Sequence, residues 1–277
     1  MLLTIDIGNT NVVMGVMKEM ELVVSFRMTT QIPRTSDEYG ITIVEMLRSK
    51  GIQIQDIKGV IISSVVPNIM HSMTNSIKKY LNKKPLIVGP GIKTGLSIRT
   101  DNPKLVGADR IVNCVAAYEL HGGPCMTIDF GTSTTYDIVN EKGEFIGGLI
   151  TPGIRISADA MWQRAAQLPH MEIKRPKSIL DCKNTISSMQ AGLVYGYIGQ
   201  VEYIVNKVKE EMNAPDMKII ATGGLARIIQ GGTHVINEYD SLLTLKGLVL
   251  IYEKNKLQEG ALKVTPMKRE SRMRAFS

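Results

Sequence analysis

Short apolar runs typical of strands alternate along this chain with longer stretches that have helical spacing. The predicted strands of the first half lie at 1–7, 12–17, 22–28, 59–66 and 86–89, and the predicted helices at about 35–51, 68–81 and 104–120. In the second half the predicted strands lie at 125–130, 135–140, 144–150 and 217–221, and the helices at 154–167, 185–212 and 242–254. Each half begins with three strands close together, so the pattern predicts an α/β protein made of two similar units.

A repeated turn supports this division. Residues 4–11 read Thr-Ile-Asp-Ile-Gly-Asn-Thr-Asn, and residues 127–134 read Thr-Ile-Asp-Phe-Gly-Thr-Ser-Thr. Both copies follow a β-rich run and precede another one. A repeat this far apart predicts two halves of similar structure, each with a phosphate-facing turn after its first strand. Two such turns on opposite sides of a cleft would hold a nucleoside triphosphate.

The first turn carries groups suited to a phosphate. Gly8 permits a tight turn and a close approach of the backbone, and the short polar residues that follow it offer hydroxyls and free amides. Asp6, at the end of the strand, could hold a magnesium ion through water. An ordinary hairpin explains the same residues when this turn is considered alone.

The overall composition limits the classes of protein. The 277 residues are 44% apolar and 21% charged, which is typical of a globular protein with one large or two ordinary domains. No apolar run reaches the length of a membrane span, and a strand begins at the N-terminus without a signal peptide, so we expect a cytoplasmic protein with no membrane partner. Three cysteines without metal-binding spacing indicate reduced thiols.

The net charge of +7 is partly due to basic residues near the C-terminus, at 268–274. Aromatic residues make up only 5% of the chain, and no nucleic-acid motif is present. We therefore expect anionic small molecules as substrates and no nucleic-acid partner.

The segment Gly107-Ala108-Asp109-Arg110 lies at the start of a predicted helix. The N-terminus of a helix attracts anions, and Arg110 adds a bidentate donor for a carboxylate or phosphate. Asp109 has two interpretations, as a favourable acid in the first turn of the helix or as a general base for a substrate hydroxyl.

Three further segments suggest contacts. Gly223 and Gly224 follow a predicted strand, where an adenine or ribose could lie flat against the backbone. Closely spaced glycines at 192–199 suggest that the long helix packs closely against another helix. Ser63 and Ser64 end a buried strand, where a role in capping the next helix is favoured over one in lining a cleft.

Taken together, these motifs resemble those of type III pantothenate kinases over residues 1–255. The residues that carry the resemblance are 6–11, 107–110, 129–132 and 222–224, in the family's order. The family belongs to the superfamily of acetate kinase, sugar kinases, actin and the heat-shock ATPases. The resemblance implies two duplicated ribonuclease-H-like (actin-like ATPase) domains with an ATP cleft between them. We place these domains at 1–115 and 116–255, followed by a poorly ordered basic tail at 256–277.

The resemblance also implies the reaction, which is ATP-dependent phosphorylation of pantothenate to 4'-phosphopantothenate, the first step of coenzyme A biosynthesis. Asp109 would be the catalytic base, and pantothenate would contact Gly107, Ala108, Asp109, Arg110 and Thr185. ATP would contact Asp6, Ile7, Gly8, Asn9, Thr10, Asn11, Val12, Val13, Thr132, Gly223 and Gly224. Asp6 would lie near Mg²⁺, and Asp129 would hold a monovalent cation, K⁺ or NH₄⁺. The family forms homodimers, and Thr185 would reach pantothenate across the interface.

The chain departs from the family pattern at Thr100, where many members have a tyrosine that packs on pantothenate. Two other functions remain open at this point, another small-molecule kinase of the same superfamily and a non-catalytic accessory factor for transcription. The presence of Asp6, Asp109, Arg110 and Asp129 together argues against the second.

Overall fold

A computed structural model describes residues 1–165 and 167–262 of the chain. Two mixed sheets form its framework. The strands of the first sheet are β1 (Leu2–Ile7), β2 (Asn11–Lys18), β3 (Glu21–Thr29), β4 (Gly59–Ser64) and β5 (Leu86–Ile87). Those of the second are β6 (Ser97–Ile98), β7 (Cys125–Phe130), β8 (Ser133–Val139), β9 (Glu144–Pro152), β10 (Lys218–Thr222) and β11 (Glu238–Tyr239). The helices are α1 (Ser36–Arg48), α2 (Pro67–Leu81), α3 (Ala108–His121), α4 (Ile154–Arg164), α5 (Thr185–Glu211), α6 (Ala226–Gln230) and α7 (Leu243–Leu262).

The two sheets repeat one topology. The first has the order β3-β2-β1-β4-β5, and the second contains β9-β8-β7-β10-β11 with β6 added beside β9. In each sheet the first three strands form an antiparallel meander, and the next strand pairs parallel with the first of them. The predicted duplication of the chain is therefore confirmed.

Two helices are packed between the halves and bring the cleft residues together. One face of α3 packs with α7 and the first sheet through Val112 and Val115, and the other face packs against the second sheet through Cys114 and Ala117. Because α3 is buried on both sides, its N-terminal turn is fixed at the junction of the two sheets. This turn contains Asp109 and Arg110.

Helix α1 begins with a capping box. The hydroxyl of Thr35 accepts a hydrogen bond from the backbone of Glu38 at 3.2 Å, and the Glu38 carboxylate accepts one from the backbone of Thr35 at 2.7 Å. This reciprocal pair satisfies donors that the first turn of α1 would leave free.

The differences from the predicted elements concern short strands and helix ends. Strands β6 and β11 were not predicted, because two residues show no measurable period. Helix α3 begins at Ala108 rather than 104, and α4 ends at Arg164 rather than 167. Helix α7 continues beyond 254 to Leu262. The rest of the predicted basic tail, 263–277, lies outside the described residues.

The proposed domain division at 115/116 stays a prediction. The boundary falls inside α3. Strand β6, which precedes the boundary, joins the second sheet, and helix α7, which follows it, packs against the first sheet. Within the described residues, no helix is long and apolar enough to cross a membrane.

Candidate active site

The two copies of the repeated turn meet in the structure. The hydroxyl oxygens of Thr10 and Thr132 lie 3.0 Å apart. The first turn is braced from behind by Thr30, whose hydroxyl donates to the carbonyl of Gly8 at 2.7 Å and whose backbone N–H donates to that of Thr10 at 3.0 Å. The first turn is thus held in place, and its Thr10 side chain contacts the second turn.

Asp6 lies at the end of β1 and receives a short hydrogen bond from the hydroxyl of Ser63 at the end of β4. Burial raises the pKa of Asp6 to about 6, the Ser63 bond acts in the opposite direction, and the charge of Asp109 raises the pKa further. The capping role favoured for Ser63 is therefore wrong. Its neighbour Ser64 makes the local bond instead, accepting from the backbone of Val66 at 3.0 Å.

Asp129 occupies the corresponding position at the end of β7. Burial raises its pKa to about 7, and the negative charges of Asp109, Asp6 and Asp137 add to this effect. The amide of Asn113 donates to Asp129 Oδ2 at 3.3 Å, which lowers the pKa. Thr244 of α7 donates to Asn113 Oδ1 at 2.7 Å and so fixes which end of this amide faces the carboxylate.

Asp109 lies in the first turn of α3 and is largely buried. Burial raises its pKa, while the backbone N–H of Arg110, which donates to Asp109 Oδ1 at 2.8 Å, acts in the opposite direction. Electrostatic coupling of Asp109 to Asp6 and Asp129 shows that the structure brings these three predicted site residues together.

Asp137 is a site residue that the sequence analysis missed. Its Oδ1 lies 2.7 Å from Nε and 2.5 Å from Nη2 of Arg110, and its side chain is only 1% exposed. Burial raises the pKa of Asp137, and the hydrogen bond from Arg110 opposes this shift. Within the sequence Asp137 is one polar position in a predicted strand, and nothing local distinguished it.

The cleft is rich in negative charge. Four carboxyl groups and one guanidinium meet there, those of Asp6, Asp109, Asp129, Asp137 and Arg110. Oxygen donors of this kind suit Mg²⁺ and monovalent cations. Among the described residues, however, no three acidic, histidine or cysteine side chains converge on one metal position.

Gly223 lies against the end of β7, where a side chain would not fit. Its φ is +94°, and a Cβ atom there would lie 2.6 Å from the carbonyl oxygen of Phe130 and 2.7 Å from Asp129 Oδ1. Gly224 faces open space. The turn therefore presents bare backbone beside Asp129, as a flat ligand requires.

Thr185, a predicted contact of pantothenate, and Thr100, which stands in place of the family's tyrosine, are two further positions of the family pattern. Thr185 is the first residue of α5 and is exposed, so a single chain does not bury it in the cleft. The hydroxyl of Thr100 is buried and lacks a hydrogen-bond partner within the described part of the chain.

Solved structures of similar fold define the class. A Campylobacter jejuni protein described as a Baf family transcriptional activator has a TM-score of 0.57 at 18% identity, with 92% of this chain and 99% of that chain covered. The activator of 2-hydroxyisocaproyl-CoA dehydratase from Clostridium difficile, with bound ADPNP, has a TM-score of 0.55 at 14% identity (96% and 99% covered). The ROK hexokinase of Thermus thermophilus has a TM-score of 0.51 at 12% identity (92% and 99% covered). The chain therefore has the duplicated α/β fold of actin-like ATPases and sugar kinases.

Sequence comparison then identifies the family. A family model described as type III pantothenate kinase matches residues 2–207. The type III pantothenate kinase of Agathobacter rectalis is 57% identical over 254 residues, which cover 92% of this chain and 97% of that protein. The chain belongs to the type III pantothenate kinase family, and its function is the ATP-dependent phosphorylation of pantothenate in coenzyme A biosynthesis. Use of ATP with Mg²⁺ follows from membership of this kinase family.

Proposed function

We propose that the cleft between the two sheets is the site of this reaction and that its residues have the roles given below. The observation that carries the proposal is the meeting of Asp6, Asp109 and Asp129 beside two turns joined through Thr10 and Thr132. Phosphoryl transfer depends on positioning and on compensation of charge, and this cleft offers both.

The phosphates of ATP lie along the first turn, residues 6–13, and contact Thr132 of the second. Free backbone amides and hydroxyls there donate to phosphate oxygens. The adenosine lies on the bare backbone of Gly223 and Gly224. Mg²⁺, when bound with the nucleotide, neutralises phosphate charge, and Asp6 is the carboxylate placed to hold it through water.

Pantothenate binds at the start of α3. The backbone of Gly107 and Ala108 and the guanidinium of Arg110 contact it, and Asp109 faces the hydroxyl that is phosphorylated. The pKa of Asp109 is raised by burial, which makes it a stronger base once it is ionised. Asp109 orients this hydroxyl towards the γ-phosphate and accepts its proton as the hydroxyl oxygen bonds to the γ-phosphorus. The bond from this phosphorus to the bridging oxygen of ATP breaks, and ADP is the leaving group.

Asp129 holds a monovalent cation, K⁺ or NH₄⁺. The support is electrostatic, because the pKa of about 7 shows that the surroundings of this carboxyl group disfavour its charge. A bound cation would favour the ionised form and compensate the other carboxylates.

The active form is a homodimer built on α5 and its neighbours. Large apolar side chains are exposed on β9, α4 and α5: Ile146, Leu149, Ile150, Ile156, Trp162, Ile186 and Tyr203. On α5, Gly192, Gly196 and Gly199 share a face, and a Cβ atom at any of them would meet open space. Apolar surface of this kind marks an interface. Thr185 lies at the end of the same helix, from which it would reach the pantothenate of the partner subunit.

A cytoplasmic location is proposed from the thiols. Cys114, Cys125 and Cys182 are all unpaired, as expected in a reducing compartment.

A coupled assay of ADP formation tests the proposed site and its cation. We expect turnover with pantothenate in K⁺ or NH₄⁺ buffer and a large loss of rate when Na⁺ replaces them. Asp129→Asn should remove the difference in rate between K⁺ and Na⁺. Asp181, an exposed acid in the loop before α5, provides the control, and Asp181→Asn should retain the difference.

Equal wild-type rates in K⁺ and Na⁺ would contradict the proposed monovalent-cation site at Asp129. Turnover with a sugar and none with pantothenate would favour another small-molecule kinase, and no ADP formation with any acceptor would favour an accessory factor.

A further inference from the structure

We propose that Asp137 is a positioning residue, which holds the guanidinium of Arg110 so that one edge stays free for the anionic group of pantothenate. The proposal rests on the role proposed above for Arg110. Asp137 itself does not touch the substrate, and it acts only through Arg110.

The contact fixes the direction of the guanidinium. Nε and Nη2 of Arg110 both lie against Asp137 Oδ1, at 2.7 and 2.5 Å. A guanidinium is planar and has five N–H donors in a fixed fork. This contact uses Nε–H and one N–H of Nη2, which form one edge. One N–H of Nη1 and the second N–H of Nη2 form the adjacent edge, and they remain for a bidentate anion, while the other N–H of Nη1 points back towards Cδ.

The carboxylate is itself held in place. The hydroxyl of Thr135, on the same strand, donates to Asp137 Oδ2 at 3.2 Å. Both oxygens of Asp137 are therefore engaged, Oδ1 by Arg110 and Oδ2 by Thr135. Rotation of the carboxylate would break one bond or the other. Strand β8, which carries both Asp137 and Thr135, therefore sets the orientation of the Arg110 guanidinium.

The space around the pair is confined. The side chain of Asp137 is 1% exposed and that of Arg110 17%. Gly148 of β9 lies opposite Asp137 in the sheet, and a Cβ atom there would come within 2.6 Å of Arg110 Nη2 and 2.7 Å of Asp137 Oδ1. On another side, the guanidinium carbon lies 5.7 Å from the centre of the Phe145 ring. The pair fills the volume that a side chain at 148 would take.

The other half of the duplicated fold has no acid at the equivalent position. In the second half Asp137 lies opposite Thr127, and in the first half the same register places Gly15 opposite Thr4. Thr4 and Thr127 are equivalent residues of the repeated segment. One half thus has a glycine where the other has a buried carboxylate. A buried ion pair is also a weak source of stability compared with apolar packing, so the pair is better explained by the site than by the fold.

A double-mutant cycle tests whether Asp137 acts through Arg110. The four proteins are the full-length wild type, D137N, R110M and D137N/R110M, assayed with ATP and pantothenate in K⁺ buffer. We expect D137N and R110M each to raise KM for pantothenate about tenfold, with kcat changed less than about threefold and KM for ATP within about twofold. In the R110M background, D137N should have no further effect on KM.

Two additional variants separate positioning from folding. Asp240→Asn breaks another buried ion pair, with Lys246 at 2.7 Å, and should leave KM for pantothenate unchanged. Thr135→Val removes only the hydroxyl that holds Asp137 Oδ2, so it tests the same chain of contacts if D137N does not fold. It should raise KM for pantothenate about threefold in the wild type and not at all in R110M.

The results that would overturn the inference are specific. One is that D137N folds and keeps the wild-type KM for pantothenate while R110M has a raised KM. This result would contradict the positioning role of Asp137 and leave the proposed role of Arg110 intact. Another is a rise in KM caused by D137N or Thr135→Val that persists in the R110M background. An R110M enzyme with unchanged KM would instead contradict the proposed role of Arg110 and the inference with it.

Discussion

The hydroxyls of Thr10 and Thr132 form a hydrogen bond of 3.0 Å between residues 122 positions apart. Each belongs to one copy of the repeated turn, so this bond joins the two halves of the duplicated fold at the cleft. It is exposed, and a phosphate oxygen can compete for either hydroxyl. We infer that the two turns act as one phosphate-binding surface and that ATP contacts both.

Removal of either hydroxyl should therefore weaken ATP binding. We expect Thr10→Val and Thr132→Val each to raise KM for ATP about fivefold, since one neutral hydrogen bond contributes about 1 kcal/mol. KM for pantothenate should stay within about twofold. The double variant should lose less than the product of the two single effects, because the residues are in contact. Thr42→Val on α1 serves as the control, and a fully multiplicative double variant would show that the two turns act independently.

The proposed base can be tested by a substitution that keeps its shape. Asp109→Asn should lower kcat by about 10² to 10⁴, the range for loss of a general base. Pantothenate binding, measured by calorimetry, should be nearly unchanged. Glu141→Gln in the β8–β9 turn is a matched control that leaves the cleft intact. A kcat close to that of the wild type in Asp109→Asn would rule out the base role.

The raised pKa values of Asp6 and Asp129 predict how stability depends on pH when no Mg²⁺, K⁺ or NH₄⁺ is added. Each carboxyl group keeps its proton in the folded protein at pH values where the unfolded chain has lost it, up to pH of about 6 for Asp6 and about 7 for Asp129. The folded state then binds more protons, so the free energy of unfolding must fall as pH rises from about 4 to 7. We expect a loss of about 4 kcal/mol between pH 5 and 8, measured by urea unfolding.

Removal of one of these acids should flatten that dependence. Asp129→Asn should be more stable than the wild type at pH 8 and lose less stability between pH 5 and 8, because its amide carries no charge to bury. Asp181→Asn should follow the wild-type curve. Identical pH curves for Asp129→Asn and the wild type would contradict the burial of charge at Asp129.

The proposed interface can be tested at a glycine that faces open space. Gly196→Glu should not disturb a single chain, because glutamate fits there and has a better helix propensity than glycine. In a homodimer packed on α5, the same change places a charge in the contact. Light scattering should then show the mass of two chains for the wild type and of one for the variant, and pantothenate turnover should fall. Lys78→Glu on α2 is the control, and a dimeric Gly196→Glu protein would place the interface elsewhere.

The sequence by itself determined the local structure and the identity of most candidate residues. Among the described residues, periodicity predicted every strand of five or more residues and six of the seven helices, because these depend on neighbours along the chain. The short helix α6 was recognised only as following a strand-to-helix turn. The repeated turn identified Asp6 and Asp129 together, and the position of Asp109 and Arg110 at a helix start indicated an anion site.

Only the tertiary structure decided which side chains meet. The bonds of Ser63 with Asp6, of Asp137 with Arg110 and of Thr244 with Asn113 join residues on different elements. No local pattern specifies such pairs, since they arise from the packing of α3 and α7 between two sheets. The shifted pKa values have the same origin, because burial and neighbouring charge exist only after the halves have come together. The sequence named three of the four acids, Asp6, Asp109 and Asp129, whereas the packing of the two halves around α3 added Asp137 and shifted the pKa values of all four.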